Sequence, residues 1–370
     1  MGGGSLSAHG ALRLSGNHAA YVVAMRTIVA EPDRVEMESP TQNSPYKARA
    51  LWYVEQGRVE LRPQQVFRAQ GEVLLRMVWS GISRGTERLI FRGQVPPAEF
   101  ARMRAPLQEG SFPYPVKYGY CAVGRIEEAE DLGLKGRLAF CLAPHQTLIN
   151  VPASMVCLVP QALPARRAAL AANMETALNG VWDSGAGPGD RIYVIGAGLV
   201  GLLTAYLCAQ LPGADVTVVD RDTSRAQQAQ ALGLTFATPE AVQNRQDGDV
   251  VFHASASAAG LASALQCAGL EAKVIELSWY GAADVAAPLG GAFHSQRLQL
   301  ISSQVGQVSP SRRPRWTYAR RLAKALELLC DDRLDALITD EVAFEDLPQM
   351  LPQLLGPDAR GLASVVRYDP

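Results

Sequence analysis

No C-x-x-C pair occurs among the six cysteines, which are scattered at Cys121, Cys141, Cys157, Cys208, Cys267 and Cys330. That scatter argues against a disulfide framework and for reduced thiols in a cytosolic (cytoplasmic) protein, several of them acting as small buried hydrophobes. No apolar run approaches the roughly 18–20 residues that a membrane helix needs. Charge of one sign is not in excess: the net charge is -1, so no global field draws the chain to nucleic acid or to a membrane surface. With those partners set aside, the expected partner is a small-molecule substrate. No internal repeat is visible. Apolar residues make up 48% and charged residues 19% of the 370, which is ordinary for a globular protein with a sizeable core. At about 100–200 residues per domain, the length suggests two domains.

The first 45 or so residues differ from the rest. They are rich in Gly, Ser, Ala and His, then polar with Pro32, Pro40 and Pro45. The apolar stretch Ala19 to Met25 is too short for a secretory segment and lacks a basic start. M-G-G-G-S-L fails the myristoylation pattern, since Leu6 stands where Ser or Thr is wanted. This segment reads as a disordered tail, with Met25 or Met37 as alternative starts. From Ala48, A-L-W-Y-V-E-Q-G-R-V-E-L-R reads as a hairpin about Gln56-Gly57, and Gly71 to Ser80 as another strand. Short strands punctuated by Gly and Pro continue to about Pro152, a small, irregular, mostly β domain.

Past Pro164 the pattern changes. Ala165 to Ser184 has helical spacing. Strands and helices then alternate: R-I-Y-V-I-G, an apolar helix, D-V-T-V-V-D, a helix through Leu232, D-V-V-F-H-A, a helix over 261–267, and K-V-I-E-L-S. Such alternation means a parallel sheet covered on both faces. A further helix spans 318–330. The piece after Thr339 is again short strands and a helix, and should return to the first domain.

The sharpest motif is V-I-G-A-G-L-V-G. Gly196, Gly198 and Gly201 form G-x-G-x-x-G after a strand and at the start of a helix. The first glycine permits the tight turn, the second lets backbone amides approach a pyrophosphate, and the third lets helix pack on strand. The helix start, with Leu199 and Val200, offers unpaired N–H groups and a partial positive charge. The next strand ends in Asp220, placed to meet the adenosine ribose hydroxyls and repel a 2′-phosphate, which favours NAD over NADP. Arg221 and Arg225 close by are the counter-signal, since either could bind a phosphate.

Several segments then carry a resemblance. They are G-I-S-R-G-T-E (Gly81–Glu87), Y-P-V-K-Y-G-Y-C-A-V-G (Tyr114–Gly124), K-G-R-L-A-F (Lys135–Phe140), N-M-E-T-A-L-N-G-V-W (Asn173–Trp182) and P-G-D-R before the nucleotide strand. Over residues 48 to 368 the chain resembles the medium-chain dehydrogenase/reductases. Within them, S-G-I-S-R-G-T-E, P-H-Q (144–146) and H-S-Q-R-L (294–298) look most like the bacteriochlorophyllide hydroxyethyl dehydrogenase-like subgroup. The resemblance implies an α/β fold: a GroES-like β domain over 46–180, completed by 340–370, and a Rossmann doubly wound parallel sheet over 181–339. It also implies a homodimer.

Matched motif to motif, the family's zinc-ligand positions fall on Ser83, on Tyr120 with Cys121 beside it, and on Ala172. A hydroxyl, a phenol and a methyl are not the N/S donors that tetrahedral zinc prefers. Only Cys141 stands where a four-cysteine lobe would be. Beyond the tail the chain has three histidines, His145, His253 and His294. The expectation is therefore no zinc.

Without the metal, the protein must supply a positioned acid or base. Tyr120 could donate to a carbonyl oxygen, Ser83 could relay a proton, and Glu87, Glu175 or His145 could act as base. Each has a plainer reading: Tyr120 as space-filling aromatic, Ser83 in a turn near Gly85, the glutamates as ion-pair partners of an arginine, His145 as a satisfied loop residue. Cys121 has no activating neighbour in sequence. For the cofactor, the resemblance implies Thr176 and Arg225, with Arg84 in a less certain register; Ser255 and Ser278, at strand ends, should line the nicotinamide side. Arg312, Arg313, Arg315, Arg320 and Arg321, beside Trp316 and Tyr318, are a solvated helix start, an anion grip or a subunit contact. The leading expectation is a zinc-independent NAD(H) alcohol/ketone oxidoreductase. The alternatives are a quinone or enoyl reductase using NAD(P)H, and a nucleotide-binding protein without catalysis.

Overall fold

A computed structural model describes residues 45–356 and 358–369; the expected disordered tail, and the alternative starts within it, lie outside the described residues apart from Pro45. Three sheets organise the rest.

The hairpin about Gln56-Gly57 forms as read: Tyr46–Glu55 pairs antiparallel with Arg58–Val66. Gly57 takes φ +78° there, a conformation that costs glycine nothing. Val116–Lys117 and then Glu109–Gly110 complete this four-stranded sheet. The second sheet is built around Glu72–Ile82, whose apolar residues line a β core. It pairs with Ala122–Glu128 on one side and with the C-terminal strand Ala363–Arg367 on the other. The returning C-terminal piece thus hydrogen-bonds to a strand nearly 300 residues earlier, with Val366 and Tyr368 entering the same core.

The third sheet is wholly parallel. Its spatial order is Thr235–Ala237, Asp215–Val219, Arg191–Ile195, Gly248–His253, Ala268–Glu276, Gln299–Ser302. Counted along the chain within this sheet, that is 3-2-1-4-5-6, the Rossmann order. Helices Ala171–Ser184 and Leu199–Cys208 cover one face and Ala258–Cys267 the other, giving two apolar cores on either side of the strands.

Two details depart from the sequence reading. The helix expected over 165–184 is two helices, Ala165–Ala168 and Ala171–Ser184. At the break the Ala169 carbonyl oxygen comes so close to Gly81 that a Cβ there would sit 2.7 Å from it. An unanticipated helix, Arg84–Phe91, follows the second sheet's central strand. Its first turn is polar and holds Gly85, but Ile90 and Phe91 anchor it in the β core.

Helix Tyr318–Leu328 is tied to Ala171–Ser184 by Arg321, which is 2% exposed. Its guanidinium donates to Glu175 Oε1 (3.0 Å), Asn179 Oδ1 (2.6 Å), Gln307 O (3.2 Å) and Val305 O (2.5 Å). A buried pair of this kind is most costly to break on one side. Arg321→Met should lower unfolding free energy by about 3–5 kcal/mol in urea titration, because the buried Glu175 carboxyl, which burial already raises, would be left without its partner. Adding Glu175→Gln should recover part of that loss. A single variant as stable as the parent would show that the pair does not carry charge.

Candidate active site

The glycine turn lies at the carboxyl end of strand Arg191–Ile195. Gly196 has φ +112°, and a Cβ on it would fall 2.8 Å from Ser255 N. A Cβ on Gly201 would sit 1.9 Å from Gly196 O, so the helix could not pack on the strand. Gly198 is exposed and has open space where a Cβ would go. Leu199 and Val200 form the first turn of the helix behind it. The chain therefore offers a cradle of backbone at a helix start, the arrangement that accepts phosphates. Asp220 closes the turn from the next strand: Oδ2 accepts from Ala197 N (2.7 Å) and Oδ1 from Asp222 N (2.9 Å).

Two arginines converge on residues 359 and 360. Arg225 Nη2 donates to Arg360 O (2.5 Å) and Arg84 Nη2 to Ala359 O (2.5 Å). Burial, with the charges of Arg88 and Arg225, lowers the Arg84 guanidinium to about 10, and its Nε is buried without a hydrogen-bond partner. Thr176 Oγ1 bonds to Ala172 O (2.9 Å) inside its helix. Ser278 Oγ accepts from Ala256 N (3.0 Å), which places Ser255 and Ser278 on neighbouring strand ends.

A second cluster lies where Glu72–Ile82 ends, Ala122–Glu128 begins and Arg84–Phe91 starts. Tyr120 Oη lies 2.5 Å from Ser83 Oγ and 3.0 Å from Thr86 Oγ1. Ser83 is the residue just before the helix, and its N–H donates to Glu87 Oε1 (2.7 Å). Glu87, wholly buried, also accepts from Tyr53 Oη (2.6 Å) and lies 3.1 Å from His145 Nε2. His145 Nδ1 meets Ser80 Oγ at 2.7 Å, and Ser80 meets Tyr368 Oη at 2.9 Å.

Burial alone would raise the Glu87 carboxyl, but His145, Tyr53 and the Ser83 N–H outweigh it and hold it below the usual carboxylate range. Burial raises the Tyr120 phenol, with the nearby Cys121 and Glu87 adding to it, so Tyr120 keeps its proton. The Cys121 thiol is pushed well up by burial and by Glu87 and Glu175, which disfavours the thiolate that a nucleophile needs.

Four of the five candidate acid/base residues, Tyr120, Ser83, Glu87 and His145, are thus joined in one network. The fifth, Glu175, is not in it; its carboxylate is taken by Arg321. The arginine-rich segment is spent largely on aromatics. Trp182 and Trp316 lie 4.7 Å apart, with Arg320 4.0 Å over Trp316 and Arg312 5.6 Å over Trp182. Sequence reasoning missed Thr86 as a partner of Tyr120. It also missed the pairing of His253 with Glu276. The first lies in the first turn of a helix that was not anticipated, and the second needs the register of two parallel strands.

Solved structures of similar shape decide the fold. A proposed zinc-binding dehydrogenase of Sinorhizobium meliloti 1021, bound to NADP, superposes with a TM-score of 0.70 at 17% identity, covering 87% of this chain and 99% of that one. The chain has the fold of the medium-chain dehydrogenases. L-idonate 5-dehydrogenase of Escherichia coli matches with a TM-score of 0.73 at 14% identity, covering 88% of this chain and 99% of that one. In sequence, an uncharacterized zinc-type alcohol dehydrogenase-like protein of Haemophilus influenzae is 25% identical over 246 residues, 63% of this chain and 67% of that protein. The family model of ketopantoate reductase PanE/ApbA matches residues 192–261, the segment that carries the glycine turn.

Proposed function

We propose that this protein is an NAD(H)-dependent oxidoreductase of alcohols and ketones that works without a catalytic zinc. The observation that carries the reading is Tyr120, a protonated phenol held between two hydroxyls, at a position that the sequence resemblance matches to a zinc ligand of the family. The donor set does not suit the metal: Ser83 and Ala172 offer a hydroxyl and a methyl, and burial keeps Cys121 protonated. Among the described residues no three His, Cys, Asp or Glu side chains are grouped to hold a metal ion. We therefore derive no step through zinc.

The cradle at Gly196, Gly198 and Gly201 fits a dinucleotide, whose contribution when bound is hydride transfer. Leu199 and Val200 supply the helix-start N–H groups, Ser255 and Ser278 follow the ends of neighbouring strands of the sheet, and Thr176 is added by the sequence resemblance. Tyr120 then does the protein's part. Its phenol donates a proton to the carbonyl oxygen being reduced, and Ser83 and Thr86 hydroxyls stabilise the phenolate left behind. The buried Glu87–His145 pair holds Ser83 through its N–H and so fixes that geometry.

Asp220 supports NAD, since a carboxylate at that strand end repels a 2′-phosphate. Arg84 and Arg225 favour a second reading, an NADPH-dependent quinone or enoyl reductase, and the Sinorhizobium structure holds NADP. Titration of purified protein with NADH and NADPH, followed by fluorescence, separates the two. We expect NADH to bind at least about tenfold tighter, a difference of about 1.4 kcal/mol, and Asp220→Asn to narrow the gap. Tighter NADPH binding would favour the reductase, and one zinc per chain in the same sample would overturn the metal-free reading. Assignment to the bacteriochlorophyllide subgroup and assembly as a homodimer remain proposals that rest on the sequence resemblance.

A further inference from the structure

A further group of polar side chains sits beside the glycine turn; it shares Ser255 and Ser278 with the nicotinamide side of the nucleotide site, and its His253 and Glu276 take no part in the reaction above. His253 ends the fourth strand of the parallel sheet and is 0% exposed. Its neighbour in register on the next strand is Glu276. His253 Nδ1 lies 2.9 and 2.8 Å from the two Glu276 oxygens. On the other side of the ring, Nε2 lies 2.7 Å from Ser255 Oγ. Glu276 is itself held by Ser278 N (2.8 Å) and Tyr280 Oη (3.0 Å).

The proton positions follow. Burial raises the Glu276 carboxyl, but the His253 bond and charge, with Ser278, bring it below its ordinary value. It is therefore ionised and can only accept. His253 must carry its proton on Nδ1 to meet it. With that single proton on the ring, Nε2 accepts and the Ser255 O–H donates to it; Ser255 Oγ also lies 2.9 Å from Ser257 Oγ. That is the assignment of roles in a serine–histidine–carboxylate triad, which is recognised by geometry rather than by chain order.

The local backbone matches the role. Ser255 lies in the turn from a strand into helix Ala258–Cys267, the context of a nucleophile elbow. Ala256, the next residue, is held at φ +50°, a strained conformation for alanine. Gly260 leaves the room: a Cβ there would be 2.0 Å from Ser255 Oγ and 2.8 Å from His253 Nε2. The helix start then lies close to the hydroxyl, and its field favours a developing oxyanion.

We propose that Ser255, with His253 as base and Glu276 as its orienting carboxylate, is a nucleophile that accepts acyl groups from small activated esters. Ser255 Oγ forms a bond to the ester carbonyl carbon as its proton passes to His253 Nε2. The bond to the leaving alkoxide breaks, and the alkoxide takes that proton from the imidazolium. Water, deprotonated by His253, then hydrolyses the acyl-serine and restores the hydroxyl.

The test uses the full chain without nucleotide, so that its failure and a failure of the redox reading are distinct. A fluorophosphonate probe is added and the product is followed by intact mass and peptide mapping. Attack by Oγ forms an O–P bond and expels fluoride. We expect one adduct per chain, on Ser255, and none on Ser255→Ala. His253→Gln should slow labelling by about 10²-fold or more, the usual contribution of a general base. 4-Nitrophenyl acetate should release about one equivalent of nitrophenolate in a burst. No adduct on the parent protein, an adduct mapped elsewhere, or a His253→Gln rate equal to the parent would overturn the proposal. The first two need no variant to fold.

Discussion

Gly201→Ala should abolish dinucleotide binding and lower the melting temperature by several degrees. The added methyl would sit 1.9 Å from the Gly196 carbonyl oxygen, which is backbone and cannot rotate away. Helix Leu199–Cys208 must then lift from its strand, and overpacking of this sort costs about 1–3 kcal/mol or more. Gly198→Ala provides the contrast. Nothing lies within 4 Å of a Cβ at that position, and its backbone (φ −75°, ψ 178°) suits alanine. The fold should melt as the parent does. The methyl would nonetheless stand in the open space before the helix, where a pyrophosphate must approach the amides. Fluorescence titration with NADH and a thermal melt read both effects. If Gly198→Ala binds NADH as tightly as the parent, the phosphates do not lie on this turn.

Tyr120→Phe should lower kcat/KM for ketone reduction by about 10²–10⁴, the range expected when a positioned acid is removed. KM should change far less, since the ring and its packing are kept. The loss of two neutral hydrogen bonds, to Ser83 Oγ and Thr86 Oγ1, is worth about 1–3 kcal/mol in stability. Folding and catalysis are therefore separable in this variant. Ser83→Ala removes one stabilising hydroxyl from the phenolate and should give a smaller loss. Equal turnover by Tyr120→Phe and the parent would move the acid elsewhere, with the Glu87–His145 pair behind Ser83 as the next proton source in the network.

The elements with strong periodicity were legible. The strand Arg191–Ile195, the glycine turn and Asp220 follow one another within about thirty residues, so local chemistry and spacing suffice to align them. The hairpin about Gly57 has the same quality. Less legible were Thr235–Ala237 and Gln299–Ser302, which are short edge strands with few apolar residues and gain their order from the strand beside them. Helix Arg84–Phe91 was hidden because its first turn contains Gly85 and no side-chain cap; only docking of Ile90 and Phe91 in the β core secures it.

The candidate site divides in the same way. Ser83, Glu87, Tyr120 and His145 were each readable as chemically able residues, but their sequence separations run to more than sixty positions. Which of them touch was decided by the antiparallel pairing of the β sheet. Glu175 is the instructive case. It lies in the same motif-rich stretch as Thr176, and sequence alone leaves open whether it is a base or an ion-pair partner. The approach of helix Tyr318–Leu328 settles this, because a buried carboxylate beside a buried guanidinium is held as its counter-ion.

What the sequence determined by itself was the nucleotide turn and the alternation of strands and helices around it, since both depend on residues close along the chain. What the tertiary structure alone decided was which distant polar groups share one dry environment. There a hydrogen bond fixes the charge and the proton position of its neighbour: Glu87 with His145 in one cluster, Glu276 with His253 in the other.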